Sequence, residues 1–123
     1  MKKLLASLIA ATLFTIGAAT SFASDTAPGS VIHVVTVSWK ADATPEQIQA
    51  ALDGVKALPA AYAGITRVWV KTLKAQGDRT HAMVMEFKDE QALKDYTKSP
   101  AQLEWYKVYL PVRERSTTFD ITN

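Results

Sequence analysis

The stretch VIHVVTVSW, residues 31–39, decides the fold of this chain. Side chains of a β-strand alternate between its two faces, and the odd positions of this stretch carry valines together with His33 and Trp39. The even positions carry Ile32, Val34, Thr36 and Ser38. Because both faces are largely apolar, the pattern predicts a strand that is covered on both sides.

Capping motifs mark the ends of the predicted helices. Thr44-Pro45-Glu46-Gln47 combines a threonine cap, a proline at the first helical position and a glutamine that completes a capping box. We expect this helix to end before Pro59, because proline cannot donate the backbone hydrogen bond of a helix interior. Asp89 caps a second helix. Ser99-Pro100-Ala101-Gln102 repeats the capping box and opens a third helix, which we expect to end at Pro111.

Three further strands are predicted, over residues 66–73, 80–87 and 116–122, with a hairpin connection at Gln76-Gly77-Asp78. The order β, α, β, β, α, β is that of the split βαβ, ferredoxin-like domain. This is an α+β fold, with helices on one face of an antiparallel four-stranded sheet. Since the strand at 31–39 is apolar on both faces, we expect the open face to close against a second copy, giving a dimeric α+β barrel with an interior cavity.

The N-terminus has the three parts of a cleavable secretory signal peptide, over residues 1–23. Lys2 and Lys3 precede an apolar run, and small residues precede the expected cleavage site after Ala23. The apolar run falls short of the roughly 20 residues that span a bilayer, so we predict no stable membrane anchor. We expect a mature protein in the periplasm or outside the cell, in which residues 24–30 form a flexible lead-in to one domain over 31–123.

Composition excludes several classes of protein. Without Lys2 and Lys3, the 14 lysines and arginines fall to the same number as the 12 acidic residues, and no basic run is interleaved with aromatic residues. We therefore predict no nucleic-acid partner. The chain has no cysteine, which excludes disulfides and thiol nucleophiles. No phosphate loop, serine nucleophile elbow or metal-ligand cluster is evident, so we predict neither a metal nor another cofactor.

Several landmarks resemble the stress-responsive A/B barrel (Dabb) family. They are His33 near the start of the first strand, Thr80-His81 at the start of the third, the segment from Tyr96 to Gln102, and Phe119-Asp120 in the last strand. The likeness extends over about residues 32–122. It implies a homodimer whose two sheets enclose a pocket.

The resemblance also implies candidate residues for catalysis. A plant polyketide cyclase of this family uses a pocket tyrosine and histidine to promote an intramolecular aldol closure. Tyr96 matches the tyrosine, His33 and His81 match two pocket-lining strand histidines, and Asp120 matches a strand aspartate. Gln102 stands where the cyclase has its helix histidine, and an amide is not a base near neutral pH. For this reason we favour a binding function without catalysis.

Three functions remain open from the sequence. The first is binding of a small apolar or aromatic molecule in the barrel, by His33, His81, Met83, Tyr96 and Gln102. The second is a cyclase-like or cofactor-free monooxygenase-like enzyme on a polyketide or aromatic substrate, in which His33, His81, Tyr96 and Asp120 act. The third is a structural interaction protein with a filled barrel. Both histidines lie in phase with the strand face that we expect to point into the barrel, whereas packing is the alternative role for Met83 and Tyr96, and capping that for Gln102.

Overall fold

The computed structural model describes residues 29–123, so the predicted signal peptide and most of the predicted lead-in lie outside the described residues. Within this range the chain forms four strands and three helices. They are β1 (Val31–Trp39), α1 (Pro45–Ala61), β2 (Ile65–Trp69), β3 (His81–Phe87), α2 (Glu90–Tyr96), α3 (Pro100–Tyr109) and β4 (Arg113–Ile121). The strands form one antiparallel sheet in the order β2-β3-β1-β4. The predicted α+β, ferredoxin-like class is confirmed.

Strand β1 is central in the sheet and pairs with β3 on one side and with β4 on the other. Its residue Val35 lies opposite Met83 of β3 and Thr118 of β4, and His33 lies opposite Met85 and Asp120. Residues that are directly opposite each other share a face of the sheet. The register therefore sorts the side chains of three strands into two faces.

The helices cover the face that carries the odd positions of β1. On that face Val37, Met83 and Met85 have no exposed surface, and they belong to the same core as Leu52 and Val55 of α1. Burial of such aliphatic and thioether side chains away from water is the main favourable contribution to the free energy of folding. The core of the chain thus lies between this sheet face and the helices.

The opposite sheet face carries the even positions of β1 and is left open. Among residues 29–123 no helix packs on it, and its aromatic and aliphatic side chains are exposed: Trp69 by 48%, Phe119 by 58% and Ile121 by 59%. We call this the open face. It is less polar than an isolated sheet surface in water would be, as β1 predicts.

His33 and His81 lie on the helix side of the sheet. The ring of His33 packs edge-on against Phe87 at 5.8 Å between centroids, and His81 bonds to Trp39, whose ring contacts Tyr109 of α3. The prediction that the histidines point toward the open face is wrong. Alternation along a strand shows which residues share a face of the sheet. It does not show which of the two faces the helices cover.

The ends of the elements follow local chemistry. The hydroxyl of Thr44 accepts from the Gln47 N–H at 3.2 Å and the Gln47 side chain accepts from the Thr44 N–H at 2.9 Å, so the predicted capping box is confirmed. Helix α1 nevertheless continues past Pro59, because the N–H of Tyr62 still donates to the carbonyl of Leu58 at 2.8 Å. In the link to β3, Gly77 has φ of 67°, the left-handed conformation that favours glycine.

Helices α1 and α3 meet closely at Gly54. The indole of Trp105 lies over it, donates to the carbonyl of Ala51 at 3.0 Å and stacks on Tyr109 at 4.4 Å between centroids. A Cβ atom on Gly54 would lie 2.6 Å from Cδ1 of Trp105, too close for any real contact. The glycine is therefore needed for the approach of the two helices.

Within the described residues, no helix is both long enough and apolar enough to span a membrane.

Gly54→Ala is expected to lower the melting temperature of the protein. Overpacking against Trp105 should cost about 1–3 kcal/mol, more than the gain of about 1 kcal/mol in helix propensity. Thermal unfolding followed by circular dichroism measures the change. Gly29→Ala is the control, since nothing lies within 4 Å of a Cβ there; a rise in melting temperature for Gly54→Ala would contradict the packing argument.

Candidate functional site

His81 is held in one orientation by the tryptophan at the end of β1. The indole N–H of Trp39 donates to Nδ1 of His81 at 2.9 Å, and the two rings meet at an angle of 62°. The Thr80 hydroxyl also lies 3.1 Å from this nitrogen. Because Nδ1 accepts, the neutral imidazole carries its proton on Nε2. His81 therefore presents a hydrogen-bond donor on its outer nitrogen.

The cleft beside His81 has a volume of about 330 Å³ and lies between α1 and the chain that follows β2. We call it the α1 cleft. Its lining residues are Gln49, Leu52, Lys56, Val70, Lys71, Thr72 and His81. Leu52 and Val70 give it an apolar wall, while the amide, hydroxyl, imidazole and lysine groups supply polar contacts. The exposed lining is somewhat more polar than apolar, so the cleft combines a short apolar wall with several polar groups that can orient a small molecule.

His33 has a different partner at the other end of β1. Its Nδ1 lies 2.5 Å from Oδ1 of Asp120, and the histidine side chain is 17% exposed. In the neutral ring Nδ1–H donates to the carboxylate, so Nε2 is left with its lone pair. The two histidines thus offer opposite functions on their outer nitrogens, an acceptor at His33 and a donor at His81.

Tyr96 is buried at the C-terminal end of α2. Its ring lies 5.2 Å from that of Phe87 and 5.5 Å from that of Tyr62, and its hydroxyl makes no hydrogen bond to any described residue. Burial, aided by the nearby Tyr106, raises the pKa of the Tyr96 hydroxyl far above its usual range. Tyr96 is therefore a neutral phenol at all physiological pH values. A buried donor without a partner destabilises the folded state by about 1–3 kcal/mol. A ligand that accepts from this hydroxyl would remove that cost.

Gln102 holds the start of α3. The Ser99 hydroxyl accepts from the Gln102 N–H at 3.2 Å, as predicted, but the Gln102 side chain accepts from the N–H of Lys98 at 2.7 Å. The reciprocal bond to Ser99 is therefore absent, and the predicted capping box is wrong in that half. Lys98 has φ of 63°, a left-handed conformation that turns its N–H toward the amide.

The structure divides the sequence-predicted residues into separate groups. His33 and Tyr96 contact Phe87, and Asp120 bonds to His33. His81 of β3 lies opposite Val37, four residues along β1 from His33, which is about 13 Å in the strand direction. Met83 lies between the histidines in the core, without exposed surface. No cluster of three or more possible metal ligands exists among residues 29–123.

Sequence reasoning missed Trp39 and most of the α1 cleft. Trp39 shares the phase of His33 in β1, and that alternation could have indicated a contact with a residue of β3. The lysines of the cleft come from α1 and from the connection after β2, two segments that carry no motif. Only the tertiary fold brings Lys56 and Lys71 to one cleft.

Comparison with known proteins places this geometry in a family. A family model described as the stress responsive A/B barrel domain matches residues 31–123. The chain belongs to the stress-responsive A/B barrel family. No relative among curated proteins matches it.

Solved structures of similar fold include members with different printed descriptions. A Dabb family protein with a ferredoxin-like fold from Mesorhizobium loti is 21% identical, with a TM-score of 0.65 over 77% of this chain and 97% of that chain. The hydroxynitrile lyase from Passiflora edulis is 19% identical, with a TM-score of 0.70 over 79% and 95%. A dimeric protein of unknown function from Bacteroides fragilis is 21% identical, with a TM-score of 0.63 over 77% and 97%. At these identities the likeness to this A/B barrel chain is one of fold.

Trp39→Phe is expected to change the tautomer of His81. Loss of the indole donor removes the main reason for Nδ1 to stay unprotonated, so the Nδ1–H form should become populated. Nitrogen-15 chemical shifts of the neutral imidazole report the tautomer. Trp69→Phe on the open face is the control and should leave His81 unchanged; an Nδ1–H tautomer in the unmodified protein would contradict the assignment.

Proposed function

We propose that this protein is an exported homodimer that binds a small molecule with an apolar or aromatic body in the α1 cleft. The observation that carries the proposal is the bond from Trp39 to His81. It holds one polar group in a defined tautomer at the wall of an accessible cleft. Preorganised polar groups of this kind lower the entropic cost of binding.

The walls of the cleft support an apolar ligand body. Leu52 is 8% exposed and belongs to the core, so its exposed edge is a rigid apolar surface. Val70 lies on the other side, after the end of β2. His81 supplies a hydrogen-bond donor, Nε2–H, to a ligand in the cleft. In this proposal the ligand lies between helix and sheet of one protomer, and no longer between the two sheets.

The homodimer is supported by the open face. Exposure of Phe119, Ile121 and Trp69 on one continuous sheet surface is costly in water. Solved structures of the same fold are described as dimeric. A second copy placed with its open face on this one would bury these side chains and satisfy the two-sided apolar pattern of β1.

Phe119→Asp is expected to weaken the homodimer by on the order of hundredfold, because an unpaired carboxylate would be buried in an apolar contact. Sedimentation velocity at several concentrations measures the association. Leu103→Asp is the matched control: Leu103 is 51% exposed, close to the 58% of Phe119, but lies on α3. Dissociation by the control variant, or none by Phe119→Asp, would argue against this interface.

Export is proposed from the signal-peptide pattern of residues 1–23. Mature protein should begin at Ser24, carry almost no net charge from its basic and acidic side chains, and fold outside the cytoplasm. The lack of cysteine makes its stability independent of the redox state of that compartment.

Native mass spectrometry of protein purified from the cell envelope and medium is expected to show a dimer of chains that begin at Ser24, with a discrete additional mass. Ligand retention follows from the preorganised cleft, and release of the mass by denaturation identifies the molecule. A His81→Ala protein that still dimerises should lose it. A bare dimer would contradict ligand binding, a monomer would contradict the dimer, and intact residues 1–23 would contradict export.

A second candidate function, a cofactor-free acid–base enzyme, is favoured by the group around Phe87. The lone pair on Nε2 of His33 suits a general base, and the unpartnered hydroxyl of Tyr96 suits a donor to a developing enolate. Asp120 would be the positioning residue for His33. Conversion of the released molecule on incubation with fresh protein, lost in His33→Gln, would favour this function over binding alone.

A further inference from the structure

The α1 cleft carries positive charge that a purely apolar ligand would leave unused. Two lysines line it, Lys56 and Lys71, and none of its lining residues is acidic. Low-dielectric walls around a cleft concentrate the field of such charges and raise the local concentration of anions. The two lysines differ, however, in what surrounds them.

Lys56 is already compensated. Its ammonium group lies 3.0 Å from the carboxylate of Asp53, which also accepts from the amide of Gln49 at 2.9 Å. These two hydrogen bonds, that of Gln49 first, hold the pKa of Asp53 below its usual value. Asp53 is therefore ionised at neutral pH and offsets the charge of Lys56.

Lys71 has no such partner. Within residues 29–123 it forms no ion pair, and it lies directly after Val70 at the wall of the cleft. The next residue, Thr72, is fixed to β3: the N–H of Ala82 donates to its hydroxyl oxygen at 2.9 Å. The backbone that carries Lys71 is thus anchored, while its ammonium group is left available.

We propose that the α1 cleft selects a small carboxylate with an apolar or aromatic body. Lys71 and His81 both line the cleft, and the carboxylate would accept from the Lys71 ammonium group and from Nε2–H of His81. Leu52 and Val70 would contact the apolar body. This inference rests on the proposed function of the same cleft and adds the charge of the ligand to it.

The test compares 2-naphthoate with the neutral 2-naphthamide, two probes of similar shape, by amide chemical shifts of the nitrogen-15-labelled full domain. The expected result is shifts at His81 and Thr72 for both probes and about fivefold tighter binding of 2-naphthoate, the effect of one partly solvated charge pair. Lys71→Gln should remove this preference. Lys74→Gln should retain it, because Lys74 does not line the cleft.

The outcomes separate the charge inference from the proposed function. Equal affinity for the two probes at His81 would overturn the carboxylate selection and leave the cleft as a binding site. An unchanged preference in Lys71→Gln would overturn the role of that residue. Shifts elsewhere, or none with either probe, would overturn the inference as a whole, while the mass spectrum of the purified protein decides the proposed function independently.

Discussion

The central position of β1 is the constraint on which the rest of the structure depends. A strand that pairs on both edges and is apolar on both faces needs cover on both sides, and the helices of this chain supply only one. The helix-side residues become the core. The other set, with Phe119 and Ile121 of β4 beside it, remains a surface whose composition is that of an interface. The fold and the unpartnered apolar face therefore both follow from one alternating stretch of nine residues.

The open face is not uniformly apolar, and its polar part sets limits on what can cover it. Glu86 is 4% exposed although it lies on this face, since Arg67 and Ser30 hydrogen-bond to its carboxylate. Those bonds, that of Arg67 first, hold the pKa of Glu86 below its usual value, so the group is ionised at neutral pH. Arg67 in turn lies over the ring of Trp69 at 5.5 Å. A covering surface must leave this pair its hydrogen bonds, because a buried charge that loses its partner is strongly destabilising.

The helices and strands and their order could be predicted from the sequence, because helix caps and strand alternation are local signals. Thr44 and Asp89, for example, cap helices as predicted. It was insufficient where the outcome depends on tertiary contacts. Period-two alternation grouped His33 with His81 correctly, yet could not indicate which face the helices would cover. The side chain of Gln102 accepts from the N–H of Lys98, a residue in the left-handed backbone conformation, which no sequence motif predicts. The α1 cleft could not be predicted from the sequence for the same reason, because its two lysines come from segments that meet only in the folded chain.

The separation of the α1 cleft from the open face changes the role of the proposed homodimer. If the pocket lay between two sheets, binding would require association, and loss of the dimer would abolish both. Here the α1 cleft is lined by residues of α1, of the segment after β2 and of the start of β3, and none of them belongs to the exposed set Trp69, Phe119 and Ile121. In the proposed homodimer, association would serve stability by covering apolar surface that a domain of this size cannot hide in its own core. The link between the two surfaces is the sheet itself: Val84 on the open face and Met83 beneath the helices are neighbours in β3.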